Sequence, residues 1–342
     1  MRRRIATLSL LAAGCTLALT NLSATSENWN PALAAKYLDA RQEAWFSWPT
    51  AASPDGPCVS CHTGMTYLLA RPQLRRVLRE SSPTMFETGL RARLASHAGA
   101  KPAGGLQSVE TIFAAMFVDD EAVRRKTFDQ LWTLQKTDGP LKGGWQWFNA
   151  NLDPWETPAQ FRYGAAFAAL AIGSAPAQFR SSSDSQEKIK ALAEYLQADA
   201  QTRPMHVRVM TVWASTKLPE VMTAAARQAT IDELLRAQQP DGGWTLESLG
   251  PWSDHPAAPP SLDLHRSDSY ATAFTAYVLK VAGGRTARKP VDRALDWLKK
   301  HQDRQTGAWP AVSLNKMYPA GSMEEKFLQD AATSFAVLAL TS

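Results

Sequence analysis

A short phrase recurs along the chain and restricts what it can build. Gln238-Gln239-Pro240-Asp241-Gly242-Gly243-Trp244 has the form Gln-x3-Gly-x-Trp. The run Arg293 to Leu298 leads into Gln302, Gly307 and Trp309, the same phrase with one residue inserted. Leu131 to Gln135 leads through a longer loop to Gly143-Gly144-Trp145, and Gln42 with Trp45 is a degenerate copy without the glycine. A second phrase follows the loops: Tyr163-Gly164-Ala165-Ala166-Phe167-Ala168-Ala169 aligns with Tyr270-Ala271-Thr272-Ala273-Phe274-Thr275-Ala276. A repeat at this spacing describes one supersecondary unit stacked on its neighbours. Ala, Leu, Gln and Arg are frequent and β-branched runs are scarce, so the unit is helical. Gly and Pro clusters punctuate it into hairpins: 31–45 with 62–79, 83–97 with 107–118, 121–135 with 157–173, 186–199 with 204–216, 221–238 with 266–283, and 289–302 with 323–340. Glu110-Thr111, Glu156-Thr157, Asp268-Ser269 and Asp330-Ala331 are expected to cap the second helix of their hairpins.

These phrases resemble the QW repeats of the terpenoid cyclase and protein prenyltransferase superfamily. The resemblance covers most of the chain beyond residue 24 and is strongest in the last two hairpins. It implies an all-α fold, an (α/α)6 toroid of six helical hairpins. It also implies a structural role for the repeat, the glutamine capping backbone at a helix end with the tryptophan stacked over it. The inter-helix loops 136–156, 239–265 and 303–322 then gather at the end where the central cavity opens.

The loop of the first hairpin carries a different signal. Cys58-Val59-Ser60-Cys61-His62 places two thiols three apart with a histidine directly after. This is the spacing of covalent haem attachment, each thiol bonding one vinyl group and the histidine ligating iron. The stretch from Gly56 to Arg75 resembles the CxxCH site of c-type cytochromes. A Cys58–Cys61 disulfide is the main alternative, and a zinc site lacks the second cysteine pair that would complete it. A thioredoxin-like pair lacks a βαβ context. The expected cofactor is one covalent haem c, held by Cys58 and Cys61 with His62 as proximal ligand. For the iron's other side, His265 is the first candidate and His206 the second. His255, Met317 and Met323 lie on the same loops, and an open position stands beside them.

Residues 1–24 read as a secretory signal: Arg2-Arg3-Arg4, an apolar run from Ile5 to Thr20, then small residues near Ala24. The run is short for a membrane span. Leu11-Ala12-Ala13-Gly14-Cys15 offers a lipoprotein reading, with Cys15 as anchor. The expected location is periplasmic or otherwise exported, with residues 25–342 as one toroid domain. Lys and Arg total 37 against 32 Asp and Glu, and the leader arginines supply three of the surplus five. So nearly balanced a chain has no basic stripe for nucleic acid or a membrane surface.

The superfamily's own chemistries lack their residues. The DxDD acid motif is absent, Asp263 and Asp268 being wrongly spaced, and the zinc set of the prenyltransferases cannot be built. Other toroids cleave acidic polysaccharides with Tyr, His and Arg, groups that Arg162, Tyr163, His265, Arg266 and Tyr270 could supply. The sequence therefore leads to an exported haem c protein on a toroid, acting in electron transfer or as a haem-dependent oxidoreductase with an unassigned redox partner. The alternative is a non-redox toroid that binds or processes a lipid, isoprenoid or polysaccharide.

Overall fold

The computed structural model describes residues 29–52, 56–99 and 106–342. The leader at 1–24 and the anchor at Cys15 lie outside the described residues. Twelve α-helices are present among those described: α1 (Pro31–Ser47), α2 (Gly64–Leu78), α3 (Met85–Ser96), α4 (Leu106–Phe117), α5 (Glu121–Leu134), α6 (Phe161–Ser174), α7 (Ser183–Gln197), α8 (Met205–Ser215), α9 (Ala224–Ala237), α10 (Ser269–Ala282), α11 (Arg288–His301) and α12 (Phe327–Thr341). No strand occurs among the described residues; two isolated bridges join Leu152 to Glu156 and Thr245 to Ser267.

The even-numbered helices form the inner ring. α6 is buried without a break from Tyr163 to Ile172, and α12 from Asp330 to Ala339. A helix apolar on all sides must be enclosed on all sides. The odd-numbered helices bury one stripe each: Thr230, Ile231 and Leu234 on α9, and Val291, Ala294, Trp297 and Leu298 on α11. Inner helices α4, α6, α8, α10 and α12 pack in succession, and α12 closes onto α2. The fold is the expected (α/α)6 toroid. Its alanine-rich inner helices allow close approach, and adding a Cβ at Gly164 would drive it to 2.2 Å from the Trp147 ring.

The repeat performs its joining role with hydrogen bonds. Gln135 Nε2 donates to the carbonyls of Gly143 and Lys188, Gln238 Nε2 to those of Gly242 and Pro290, and Gln302 Nε2 to those of Gly307 and Asn30. Each glutamine thus ties its own loop to the start of the next outer helix. The indole N–H groups of Trp145, Trp244 and Trp309 donate to the carbonyls of Leu131, Leu234 and Leu298, each 2.8 Å away.

The expected acidic caps are borne out at one position. Asp268 accepts from the backbone N–H groups of Tyr270 and Ala271 at the start of α10. Glu110 lies inside α4 and pairs with His97, and Asp330 lies inside α12. Five outer helices carry side-chain caps, from Asn30, Thr84, Asp120, Ser182 and Thr223.

Candidate functional site

Asp153 knits the loops together at one end of the ring. Its backbone N–H donates to Asn315 Oδ1 at 2.7 Å, and Asn315 Nδ2 donates to its carbonyl at 2.8 Å. Its carboxylate accepts from Ser253 N at 2.7 Å and lies 3.3 Å from His255 Nε2. The third, fifth and sixth loops therefore meet at one residue, as the repeat implied. The first loop joins them across a small cavity of about 60 Å³, lined by His62, Asp153, Trp155, Glu156, Tyr318 and Phe327, among others.

The first loop is held by its own middle residue. Ser60 Oγ accepts from the N–H groups of Thr63 and Gly64, satisfying two donors at the start of α2. Trp45 Nε1 donates to the carbonyl of Cys58 at 2.8 Å. Cys58 packs with Trp45, Ala51, Met323 and Phe327, while Cys61 is buried in the main core. Both thiols are free. Burial pushes the Cys58 thiol up to about 11, and raises Cys61 well above the usual thiol range.

His62 is enclosed by aromatic rings. Phe327 stacks on it at 3.6 Å, Trp45 meets it edge-on at 5.3 Å, and Trp155 stands 6.1 Å away. Its Nδ1 is 2.9 Å from Thr63 Oγ1, which donates to Asp330 Oδ2 at 2.7 Å. The other carboxylate oxygen accepts from Arg41 Nε and Tyr37 OH, both at 2.7 Å. Paired with Arg41, Asp330 is an acceptor, so the single Thr63 proton points to it and the Thr63 oxygen accepts from His62. His62 is therefore the Nδ1–H tautomer, and its Nε2 carries a lone pair with no hydrogen-bond partner among the described residues. Desolvation, with Arg41 adding repulsion, lowers its pKa to about 3, so the ring is neutral.

Glu156 brings the complementary group. Its carboxyl is pushed up to about 7, the cause being burial. An acid poised there carries a proton through much of the neutral range. A neutral imidazole with a bare nitrogen and a carboxyl raised to about 7 thus line the same cavity.

The remaining candidates are dispersed. His206 is fully buried in the core with both nitrogens engaged, Nδ1 at 2.8 Å from Gln160 Oε1 and Nε2 at 2.7 Å from Tyr270 OH; Tyr163 stacks on it at 4.7 Å. His265 is exposed, pairs with Glu247, and lines a separate outer cleft of about 530 Å³ with Arg266 and Trp297. The structure brings neither His265 nor His206 to His62, because loop five turns one outward and the inner ring encloses the other. Met317 is exposed, and Met323 packs near Cys58. Arg162 lies over the Tyr195 ring, 4.3 Å from its centroid. His97 pairs with Glu110, and the exposed His301 stacks on Trp297.

For a covalent haem, the donor set has the right order and the right tautomer, since a metal-ligating histidine donates its other N–H to a fixed acceptor. The space does not match the group. Cofactor sites typically span about 300–1,000 Å³, against about 60 Å³ beside His62. A porphyrin bonded to both sulfurs requires the Phe327, Trp155 and Tyr318 packing to open.

Three residues of this site were not read as such from the sequence. Glu156 and Asp330 were taken for helix caps, and Thr63 carried no signal. The usable sign is that Glu156 and Asp330 share the register of Asp268, at the loop ends of inner helices α6, α12 and α10.

No protein-family model matches the chain, and no curated protein sequence does. Among solved structures, the chain is similar to an unsaturated glucuronyl hydrolase variant in complex with the saccharide dGlcA-Glc-Rha-Glc, at 11% identity and a TM-score of 0.53, over 90% of this chain and 95% of that one. That likeness shows the α/α toroid. Among the described residues, no helix is long and apolar enough to cross a membrane.

Proposed function

We propose that this protein binds and processes a saccharide at the loop-end cavity, with Glu156 as proton donor. The observation that carries the reading is the Glu156 carboxyl, raised to about 7 by burial in a cavity that opens among loops. Glycosidic oxygens leave as alcohols only if protonated, and a carboxylic acid held near neutrality is the usual donor. Trp155 and Tyr318 offer flat apolar faces, and Asp153, Asn315 and His62 offer polar edges, to a terminal group of the sugar that a cavity of about 60 Å³ admits. The saccharide in the similar toroid supports the same substrate class. The test is turnover of dGlcA-Glc-Rha-Glc and of a panel of neutral and acidic oligosaccharides, with products read by mass spectrometry. Glu156→Gln should lower kcat by about 10²–10⁴-fold with the fold intact. Equal turnover by the variant, or no binding of any saccharide, would overturn the reading.

A second reading is favoured by the bare Nε2 of His62, backed through Thr63 by Asp330. Under it, Cys58 and Cys61 would hold one haem c with His62 as an iron ligand, once the Phe327, Trp155 and Tyr318 packing opened, and the group would supply electron transfer or haem-dependent oxidation. Export, with or without an anchor at Cys15, belongs to this reading, because an oxidising compartment is where such cysteines are matured. A pyridine haemochrome assay on protein produced with a haem-attachment system decides it. Covalent haem lost in Cys58→Ala with Cys61→Ala supports it; no covalent haem in the parent protein ends it.

A further inference from the structure

A second cavity adjoins the one at His62 and is far larger. It is a groove of about 890 Å³ between the fifth and sixth loops, walled by Pro259, Pro260, Pro310 and Pro319. Tyr318 and Ser313 line both cavities, so the groove and the small pocket meet at these two residues. Its walls are tied to one another: Met317 N donates to the Ala257 carbonyl across the gap at 3.0 Å. Loops of this length without their own secondary structure are commonly functional.

The two volumes divide the work of one site. A cavity of about 60 Å³ admits a terminal substituent, whereas about 890 Å³ falls in the range that holds a ligand of several rings. Charge selects among such ligands. Lys326 is paired with Glu325 at 3.4 Å. Lys316 meets no carboxylate among the described residues; its ammonium lies over the Tyr318 ring, 5.1 Å from the centroid. An unpaired cation on an aromatic ring at the junction of the two cavities is a seat for an anionic substituent.

Resting on the saccharide reading, we infer that the groove between loops five and six binds an extended oligosaccharide chain. In this arrangement the chain end enters the His62–Glu156 pocket, and a carboxylate-bearing unit sits at Lys316 and Tyr318. The proline walls present rigid apolar faces to the sugar rings, and Ser261, Ser313 and Gln329 present hydrogen-bonding groups to their hydroxyls.

The experiment is calorimetric binding of two series, oligogalacturonates and malto-oligosaccharides of two to six units, to the full chain and to its Glu156→Gln variant, which keeps the probes intact. Affinity should rise with length, and the acidic series should bind tighter at each length. Lys316→Met should weaken the acidic series by about fivefold and leave the neutral series unchanged. Tyr318→Ala should weaken both series by about tenfold. Lys316 is exposed, so an unchanged melting curve is expected and checks that the variant is folded. Binding that ignores length overturns the groove and leaves the pocket standing. A loss in Lys316→Met that is equal for both series overturns the carboxylate seat. No binding of any oligosaccharide overturns this inference together with the reading beneath it.

Discussion

The loops of the sixth and first hairpins occupy the same place in the repeat and are closed in opposite ways. In the sixth, Gln302 reaches the carbonyls of Gly307 and Asn30, and Trp309 reaches its own outer helix at Leu298. In the first, neither amide atom of the buried Gln42 has a partner among the described residues, and Trp45 turns to the Cys58 carbonyl. The first loop is fastened instead by Asp330, which belongs to the sixth hairpin. A loop closed by a neighbour leaves its own side chain, here His62, facing a cavity. The third and sixth loops keep their repeat bonds and bring Glu156 and Tyr318 to that same cavity, so the repeat is given up only in the hairpin that carries His62.

The largest effect expected from this contrast is on stability. Trp244 and Trp309 are fully buried, and each closes a repeat loop. Trp244→Ala and Trp309→Ala should each cost about 3–5 kcal/mol in denaturant unfolding. Trp45 is also buried but packs in the small cluster at the first loop, so Trp45→Ala should alter His62 more than global stability. Equal losses in all three would erase the distinction. Next comes Asp330, which takes three side-chain hydrogen bonds with no exposure to water. Removing one partner of a buried charge pair typically costs about 3–5 kcal/mol. Asp330→Ala should lose stability on that scale. The milder Thr63→Val should leave the fold and release the His62 tautomer, read from its ¹⁵N shifts. Unchanged shifts in Thr63→Val would sever the link from Asp330 to the site.

The toroid was readable because the repeat is a packing code. Gln238, Gly242 and Trp244 act within one hairpin and its neighbour, so their spacing in sequence is their spacing in space. His62 was singled out for the same reason, lying beside Cys58 and Cys61. Its partners were not readable, because Thr63 Oγ1 and Asp330 Oδ2 are 267 positions apart and meet only when α12 closes onto α2. Glu156 shows another limit. Beside Thr157 it reads as a helix cap, and its raised pKa comes from burial that no local pattern encodes. His265 errs the other way: it lies on a loop that reaches the same end of the ring as His62, yet that loop turns its side chain outward to Glu247.

The pH dependence separates the two kinds of loop-end group. Glu156 is raised from 4.5 to about 7, so the unfolded chain releases its proton first. Stability from this group is complete below about 4.5 and is lost as pH rises through about 7, at up to about 1.4 kcal/mol per pH unit. His62 and His206 are lowered from 6.5 to about 3, so their contribution is present above 6.5 and is lost as pH falls toward about 3. The two trends oppose each other between these values. The Glu156 term is therefore read as the difference between the parent protein and Glu156→Gln, which should widen in the variant's favour as pH rises from 5 to 7. A difference that stays flat would mean that Glu156 is ionised in the folded protein, and would remove the proton donor.

The smallest effect is the most discriminating. Gln302→Leu removes three hydrogen bonds, leaving two carbonyls short of a donor and the Asn30 N–H short of an acceptor, which should cost about 1–3 kcal/mol. Gln42→Leu exchanges an amide that is buried and unsatisfied at both atoms for an apolar group of similar size. A buried polar group without partners destabilises the folded state, so its removal should cost nothing or raise stability slightly. The comparison needs only the denaturant midpoints of the two variants. If Gln42→Leu is as damaging as Gln302→Leu, the first glutamine has partners after all and the first loop is built like the others. If it is neutral, the first hairpin has kept the letter of the repeat without its bonds, and its loop is tied across the chain by the link from Asp330 through Thr63 to His62.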